Sequence, residues 1–263
     1  MRRTECIAMW CAMAVVVLAS HGTTWAADPN APSEQSITCD NVYNFGAGAT
    51  AWSICISRHG NVISMICPGG QEHVRIGTFR EGYILRDNFA GTTFWDTGAS
   101  EAGFGAPVIV QPNGANTFPL TICRVTTDGN WRLCTQAFVK NNAEKEVKFT
   151  MRLTNLSGLA RSANLCRYAD FDVDNTVPGD IFDRSTDSVW ARERNGMKLS
   201  ALSYTVPHRT IVGTCCGGDD ACSNEVSVAT PTAAGDFDAK LQYLLGVIGS
   251  GISRVVTVKY ECL

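Results

Sequence analysis

The chain has 263 residues, 45% of them hydrophobic and 18% charged, with a net charge of −3. This is the balance of a globular protein with a sizeable core. No cluster of Lys and Arg offers a footing for nucleic acid, and the acidic balance offers none for anionic membrane surfaces.

Taken in order, the chain opens on an export signal. Arg2 and Arg3 precede an apolar run over residues 7–19, and Thr24-Trp25-Ala26 is an acceptable cleavage site. The run is shorter than the roughly 20 residues a spanning helix needs. Residues 1–26 therefore read as a signal peptide, with a secreted or periplasmic destination and no stable membrane insertion after cleavage. Loss of Arg2, Arg3 and Glu5 takes the net charge from −3 to −4 and leaves ten of the twelve cysteines. An even count behind an export signal predicts up to five disulfides. Zinc is the weaker reading, because the mature chain has no Cys-x-x-Cys and only His59, His73 and His208 at unrelated spacings.

Residues 27–35 have the composition of a flexible leader. Short runs rich in β-branched and aromatic residues follow, at 36–42, 51–58, 61–67, 72–76, 82–86 and 107–111. They continue at 118–125, 130–139, 147–155, 160–174, 189–192, 199–204, 209–212, 239–248 and 252–262. Gly-Asn, Pro-Gly-Gly, Asn-Gly, Asp-Gly and Asn-Asn separate them. Helical periodicity is nearly absent; the segment 238–245 is the one helix candidate, and a strand is preferred there. The expectation is an all-β, disulfide-stabilised large β-sandwich, with residues 36–263 forming a single domain.

One bridge follows from register. Asp128-Gly129 centres the stretch between Cys123 and Cys134, and Asp-Gly favours a two-residue hairpin turn. Thr127 then faces Asn130, and Cys123 falls opposite Cys134 at a hydrogen-bonded, wider pair.

Residues 131–174 read as a three-strand meander whose second strand ends Thr154-Asn155-Leu156-Ser157. This is similar to the central meander of the galactose-mutarotase-like supersandwich, in which a V-x-N-x-S strand end precedes the active-site strand. The chain also resembles uncharacterised secreted bacterial β-sandwich proteins, through Arg58-His59-Gly60-Asn61 and the strand from Arg167 to Asp174. The mutarotase resemblance implies a catalytic histidine on or near that strand. No histidine lies between His73 and His208, so the fold transfers and that mechanism does not.

Three constellations carry chemistry. Asp170, Asp172 and Asp174 alternate with apolar residues, which on a strand places three carboxylates on one face. Like charges so close call for a cation; calcium suits such oxygen ligands, and the rival is a solvated face or pairing with Arg167, Arg184, Arg192 or Arg194. The loop lacks the terminal Glu of an EF-hand, since position 12 is Ile181, and Asp180 or Asp183 would have to replace it. Asp96-Thr97-Gly98-Ala99-Ser100 copies an aspartic-peptidase signature, but that chemistry needs two carboxylates sharing a proton and the chain has one copy. Lastly, Phe89, Phe94, Trp95 and Phe104 stand among glycines and polar residues in a stretch over 87–105 that reads as a long loop. Exposed rings there, with Glu101, would bind a carbohydrate by stacking; the bland alternative is that they plug the sandwich.

The leading expectation is a secreted or envelope protein that binds a glycan or other extracellular ligand through Phe94, Trp95, Glu101 and Phe104. A carbohydrate-active enzyme using the Asp-rich strand, or Glu101, as acid and base is the second reading, and an aspartic peptidase at Asp96 the third.

Overall fold

The computed structural model of the protein describes residues 38–74, 81–97, 100–140, 142–175, 180–214, 233–234 and 237–263. The expected signal segment and leader, and Cys215, Cys216 and Cys222, lie outside these residues. In chain order the strands are β1 (Asn41–Phe45), β2 (Trp52–Ile56), β3 (Val62–Ile66), β4 (Glu81–Asp87), β5 (Thr92–Asp96), β6 (Glu101–Ala102), β7 (Val108–Val110), β8 (Leu120–Val125) and β9 (Trp131–Phe138). They continue with β10 (Glu146–Asn155), β11 (Arg161–Asp170), β12 (Ile181–Arg184), β13 (Ser188–Arg192), β14 (Gly196–Ala201), β15 (His208–Thr214), β16 (Ala233–Ala234), β17 (Phe237–Ile248) and β18 (Ser253–Cys262).

Two sheets face each other to make the sandwich. A nine-stranded sheet runs β16-β12-β13-β14-β18-β10-β9-β8-β7, and a six-stranded sheet runs β15-β17-β11-β4-β5-β6. A third sheet, β1-β2-β3, joins the same core through Trp52, Ile54, Val62 and Met65. Strand alternation explains the inner faces: β10 turns Val147, Phe149, Met151 and Leu153 inward and Lys148, Thr150 and Arg152 outward. The core of Trp131, Phe149, Leu165, Leu241 and Tyr260 fills the gap between the sheets. No helix among the described residues is long and apolar enough to cross a membrane.

The expected meander breaks at its second corner. β9 pairs with β10, but β11 crosses to the other sheet, between β4 and β17. Asn155 builds that corner: its buried amide donates to the carbonyls of Leu159 (2.7 Å) and Ile248 (2.8 Å), while its Oδ1 accepts from the Ser157 N–H (2.9 Å). The 238–245 stretch is strand, as preferred. The 87–105 stretch holds β5 and β6 rather than one long loop.

Three disulfides form among the described residues, Cys39–Cys55, Cys67–Cys262 and Cys123–Cys134, as in chains that fold in an oxidising compartment. Cys123 does oppose Cys134 in register, but the turn is longer than two residues. Thr126 closes it, its N–H donating to Trp131 O (2.9 Å), with Gly129 at φ +72°. That shifts the hydrogen-bonding parity by one, so the cysteines occupy a narrow, non-hydrogen-bonded site with Cα atoms 4.0 Å apart.

Cys67–Cys262 spans 195 residues and ties the end of β3 to β18 at the middle of the nine-stranded sheet. Loop-closure entropy grows with the length of chain enclosed, so the Cys67→Ser/Cys262→Ser pair should destabilise by about 4 kcal/mol, more than the Cys123→Ser/Cys134→Ser pair. Urea unfolding of both variants measures the difference.

Candidate functional site

The tightest polar cluster is built around the β2–β3 turn, which carries Arg58-His59-Gly60-Asn61. Ser57 Oγ accepts from the N–H groups of His59 and Asn61 (3.2 Å each), and Gly60 takes φ +91° to close the turn. Strands β4, β5, β6 and β8 then supply the side chains that hold it. His59 Nδ1 lies 2.7 Å from Asp96 Oδ2, and the Asn61 amide donates to Asp96 Oδ1. Arg124 donates to Asp96 (2.7 Å), to the Tyr83 hydroxyl (3.1 Å) and to Glu101, with its guanidinium 5.3 Å from the centre of the Phe104 ring. Gly82 makes this approach feasible: a Cβ there would stand 1.8 Å from Asp96 O.

A second ion pair lies directly beneath, between the two sheets. Arg167 grips Glu81 through Nε and Nη2 (2.7 Å for the latter) and donates to Gly60 O (2.9 Å). Tyr260, from the opposite sheet, donates to the same carboxylate (2.6 Å), which also accepts the Val62 N–H (2.6 Å). The Arg167, Glu81 and Tyr260 side chains are all shielded from water. Burial opposes the charge on Arg167, yet Glu81 outweighs it and the pKa is raised; burial likewise pushes the Glu81 carboxyl up against the pull of Arg167.

Among the described residues, His59, Asp96 and Glu101 are the one set of three candidate metal ligands whose atoms lie within 4.8 Å of one another. Arg124 already stands among them as the cation, bonded to both carboxylates. Burial disfavours charge on His59, but hydrogen bonds to Asp96 and Glu101 outweigh burial and the nearby Arg124, so its pKa is raised. With His59 protonated, two anions meet two cations. The cluster is a closed structural clamp. Asp96 is 1% exposed and engaged by His59, Asn61 and Arg124, so it is not presented to a substrate as peptidase chemistry requires.

The structure separates the remaining predicted site residues. Phe94 and Phe104 are core side chains, their rings 6.1 Å apart, with no face open to a sugar. Glu101 belongs to the clamp. Trp95 lies half-buried on the outer face of the six-stranded sheet beside Ile84 and Tyr168, its Nε1 donating to Ser100 Oγ (3.1 Å). Asp170, Asp172 and Asp174 do not share a strand face, because β11 ends at Asp170 and Asp174 sits in a tight turn at φ +58°. Asp174 accepts the N–H groups of Arg194 (2.8 Å) and Asn195 (2.9 Å), and those bonds hold its pKa low despite burial. Asp180 joins this turn through the Val173 N–H (3.0 Å); burial first, then Asp172, Glu193 and Asp174, push its pKa up to about 7. Arg167 points to the opposite face from Asp170 and serves Glu81 instead.

Asp170 pairs in register with Asp238, two carboxylates on adjacent strands of the outer face. Lys240 Nζ lies 3.4 Å from Asp238 Oδ2 and 5.5 Å from the centre of the Tyr168 ring. Asp238, Lys240 and Gln242 are fully buried, so this face is covered as completely as the core. Alternation of Asp238, Lys240 and Gln242 carries the signal for this face within the strand expected over 239–248.

An open cleft of about 490 Å³ lies on the three-stranded sheet, lined by Asn44, Phe45, Trp52, Ser53, Ile66 and glycines including Gly48 and Gly70. The half-buried ring of Phe45 stacks on Trp52 at 4.3 Å.

The architecture matches solved structures despite very low identity. A bacterial glucoamylase complexed with acarbose is similar with a TM-score of 0.60 and 11% identity, over 89% of this chain and 34% of that one. Heparan sulfate lyase HepC from Pedobacter heparinus is similar at 0.51 and 10%, over 88% of this chain and 37% of that one. A putative aldose 1-epimerase from Escherichia coli K12 is similar at 0.50 and 10%, over 85% and 99%. The likeness is one of fold. It agrees with the mutarotase-like sandwich expected from residues 131–174, and the chain spans about a third of the length of the first two proteins. No family model and no curated protein matches the sequence.

A pH dependence follows from the clamp. A raised folded pKa means that the stability contributed by His59 is present in full below the ordinary value of about 6.5 and is lost as pH rises through the folded value. Asp180 contributes a fall of the same sign between about pH 4 and 7. The melting temperature should therefore drop as the pH rises above about 6.5 more steeply in the native protein than in His59→Gln. Arg124→Met, which strands two buried carboxylates, should cost about 3–5 kcal/mol by denaturant unfolding.

Proposed function

We propose that the protein is an exported glycan-binding sandwich, with residues 36–263 as one unit behind a cleaved signal, and that the cleft beside Phe45 seats the sugar. The observation that carries this is the Phe45–Trp52 stack in a cleft of about 490 Å³. An aromatic face fixed from behind by a second ring offers a rigid platform to the apolar face of a sugar. Asn44 and Ser53 stand beside it as hydrogen-bonding groups, and glycines at the rim leave room for a ring to approach. The names of similarly folded proteins, glucoamylase, heparan sulfate lyase and aldose 1-epimerase, all concern sugars and support a glycan ligand. This reading moves the seat away from residues 87–105, where Phe94 and Phe104 are spent in the core and the exposed Phe89 ring is capped by the Arg161 guanidinium at 5.0 Å. Phe45→Ala should abolish retention on an oligosaccharide array while the melting temperature falls only modestly; unchanged retention rejects the cleft.

A further inference from the structure

We propose that the groove between the β12–β13 turn and the edge strand β15 is an oxyanion-binding site, taking the phosphate, sulfate or carboxylate group of an acidic ligand. The groove encloses about 430 Å³ and is lined by Arg184, Ser185, Thr186, His208, Arg209 and Thr210. It lies where the edge of the six-stranded sheet meets the nine-stranded sheet, and three hydrogen bonds fasten that seam. Arg184 Nη1 donates to Thr210 O (2.7 Å), Thr210 Oγ1 to Ser185 O (2.5 Å), and His208 Nε2 lies 2.8 Å from Asp187 Oδ1.

Both arginines are exposed, and each is tethered by a hydrogen bond. Arg184 is held by Thr210 O, and Arg209 by the side-chain oxygen of buried Gln242. Each guanidinium spends one N–H on its anchor, and no carboxylate among the described residues forms an ion pair with either. The two nearby acids are engaged elsewhere: Asp183 accepts the Arg184 backbone N–H (2.7 Å) and Asp187 faces His208. His208 is a wall rather than a donor, because its other nitrogen is turned to Val206 O (2.7 Å). The remaining N–H groups of both arginines, with the hydroxyls of Ser185 and Thr186, therefore border a concave space rich in donors and poor in acceptors. Fixed guanidinium forks suit an anion with two or more oxygens.

This site is separate from the Phe45 cleft, so the two proposals fail independently. The test is the melting temperature of the full protein titrated with sodium phosphate, sulfate or glucuronate, against sodium chloride at matched ionic strength. Sulfate and phosphate stabilise many proteins non-specifically, so the quantity read is the difference between the native protein and Arg184→Gln/Arg209→Gln. A saturable rise of about 3–6 °C at tenfold excess over Kd is expected in the native protein alone. The anion that saturates lowest identifies the source. Should the double variant fold poorly, Arg209→Gln alone is expected to weaken binding about tenfold by calorimetry, and Phe45→Ala is expected to leave it intact. A rise that is linear in concentration, or equal in native and variant proteins, overturns the proposal.

Discussion

The structure hangs on one buried ion pair. Glu81 and Arg167 face each other across β4 and β11 on the inner side of the six-stranded sheet, with the rings of Tyr83 and Phe149 against the guanidinium. Taking two charges out of water costs several kcal/mol per ion, which their mutual attraction repays only with good geometry and further hydrogen bonds. Here the carboxylate has Arg167, Tyr260 and the Val62 N–H, and the guanidinium lies 4.5 Å from the Phe149 ring centre. The pair adds specificity to burial. Tyr260 comes from the nine-stranded sheet, Val62 and Gly60 from the third, and Glu81 and Arg167 from the six-stranded one, so a single carboxylate–guanidinium contact sets the mutual position of all three.

The His59 clamp extends the same logic outward. Its members come from four separate stretches, and each is placed by backbone rather than by side-chain reach. Gly82 lets β5 close on β4, Gly103 leaves space beneath Phe94, where a Cβ would stand 2.5 Å from the ring, and Arg124 anchors to Gly105 O (2.9 Å). Together the two clusters make a polar spine through an otherwise hydrophobic sandwich.

The periphery also shows how the sheets end. Val108, Ile109 and Val110 stand 39–44% exposed on β7, the outermost strand of the nine-stranded sheet. A bare β-branched edge is a template for pairing with another chain. Pro107 and Pro112 bracket it, and a residue with no N–H cannot prolong a ladder, so the apolar edge stays three residues long. The opposite edge of the six-stranded sheet, β15, is capped by the β12–β13 turn through Arg184 and Thr210.

Much of this was legible along the chain. Alternation of apolar and polar residues, turn dipeptides and cysteine parity determined an all-β disulfide-linked sandwich, and register about Asp128-Gly129 paired Cys123 with Cys134. These are local properties, set by a repeat of two residues and by short turns. Partnership was another matter. Arg58-His59-Gly60-Asn61, Asp96, Glu101 and Arg167 were all visible as distinctive residues, but their convergence joins positions up to 107 residues apart. Only the crossing of β11 into the second sheet brings them together. The acidic run misled for the same reason: alternation put Asp170, Asp172 and Asp174 on one face, whereas β11 ends at Asp170 and the chain turns at Asp174 (φ +58°), whose carboxylate takes the backbone N–H groups of Arg194 and Asn195 across the fold. The sequence by itself determined the kinds of strand and the chemistry available. The tertiary structure decided which charges are buried, because burial depends on what the opposite sheet places across the gap, and no local pattern carries that.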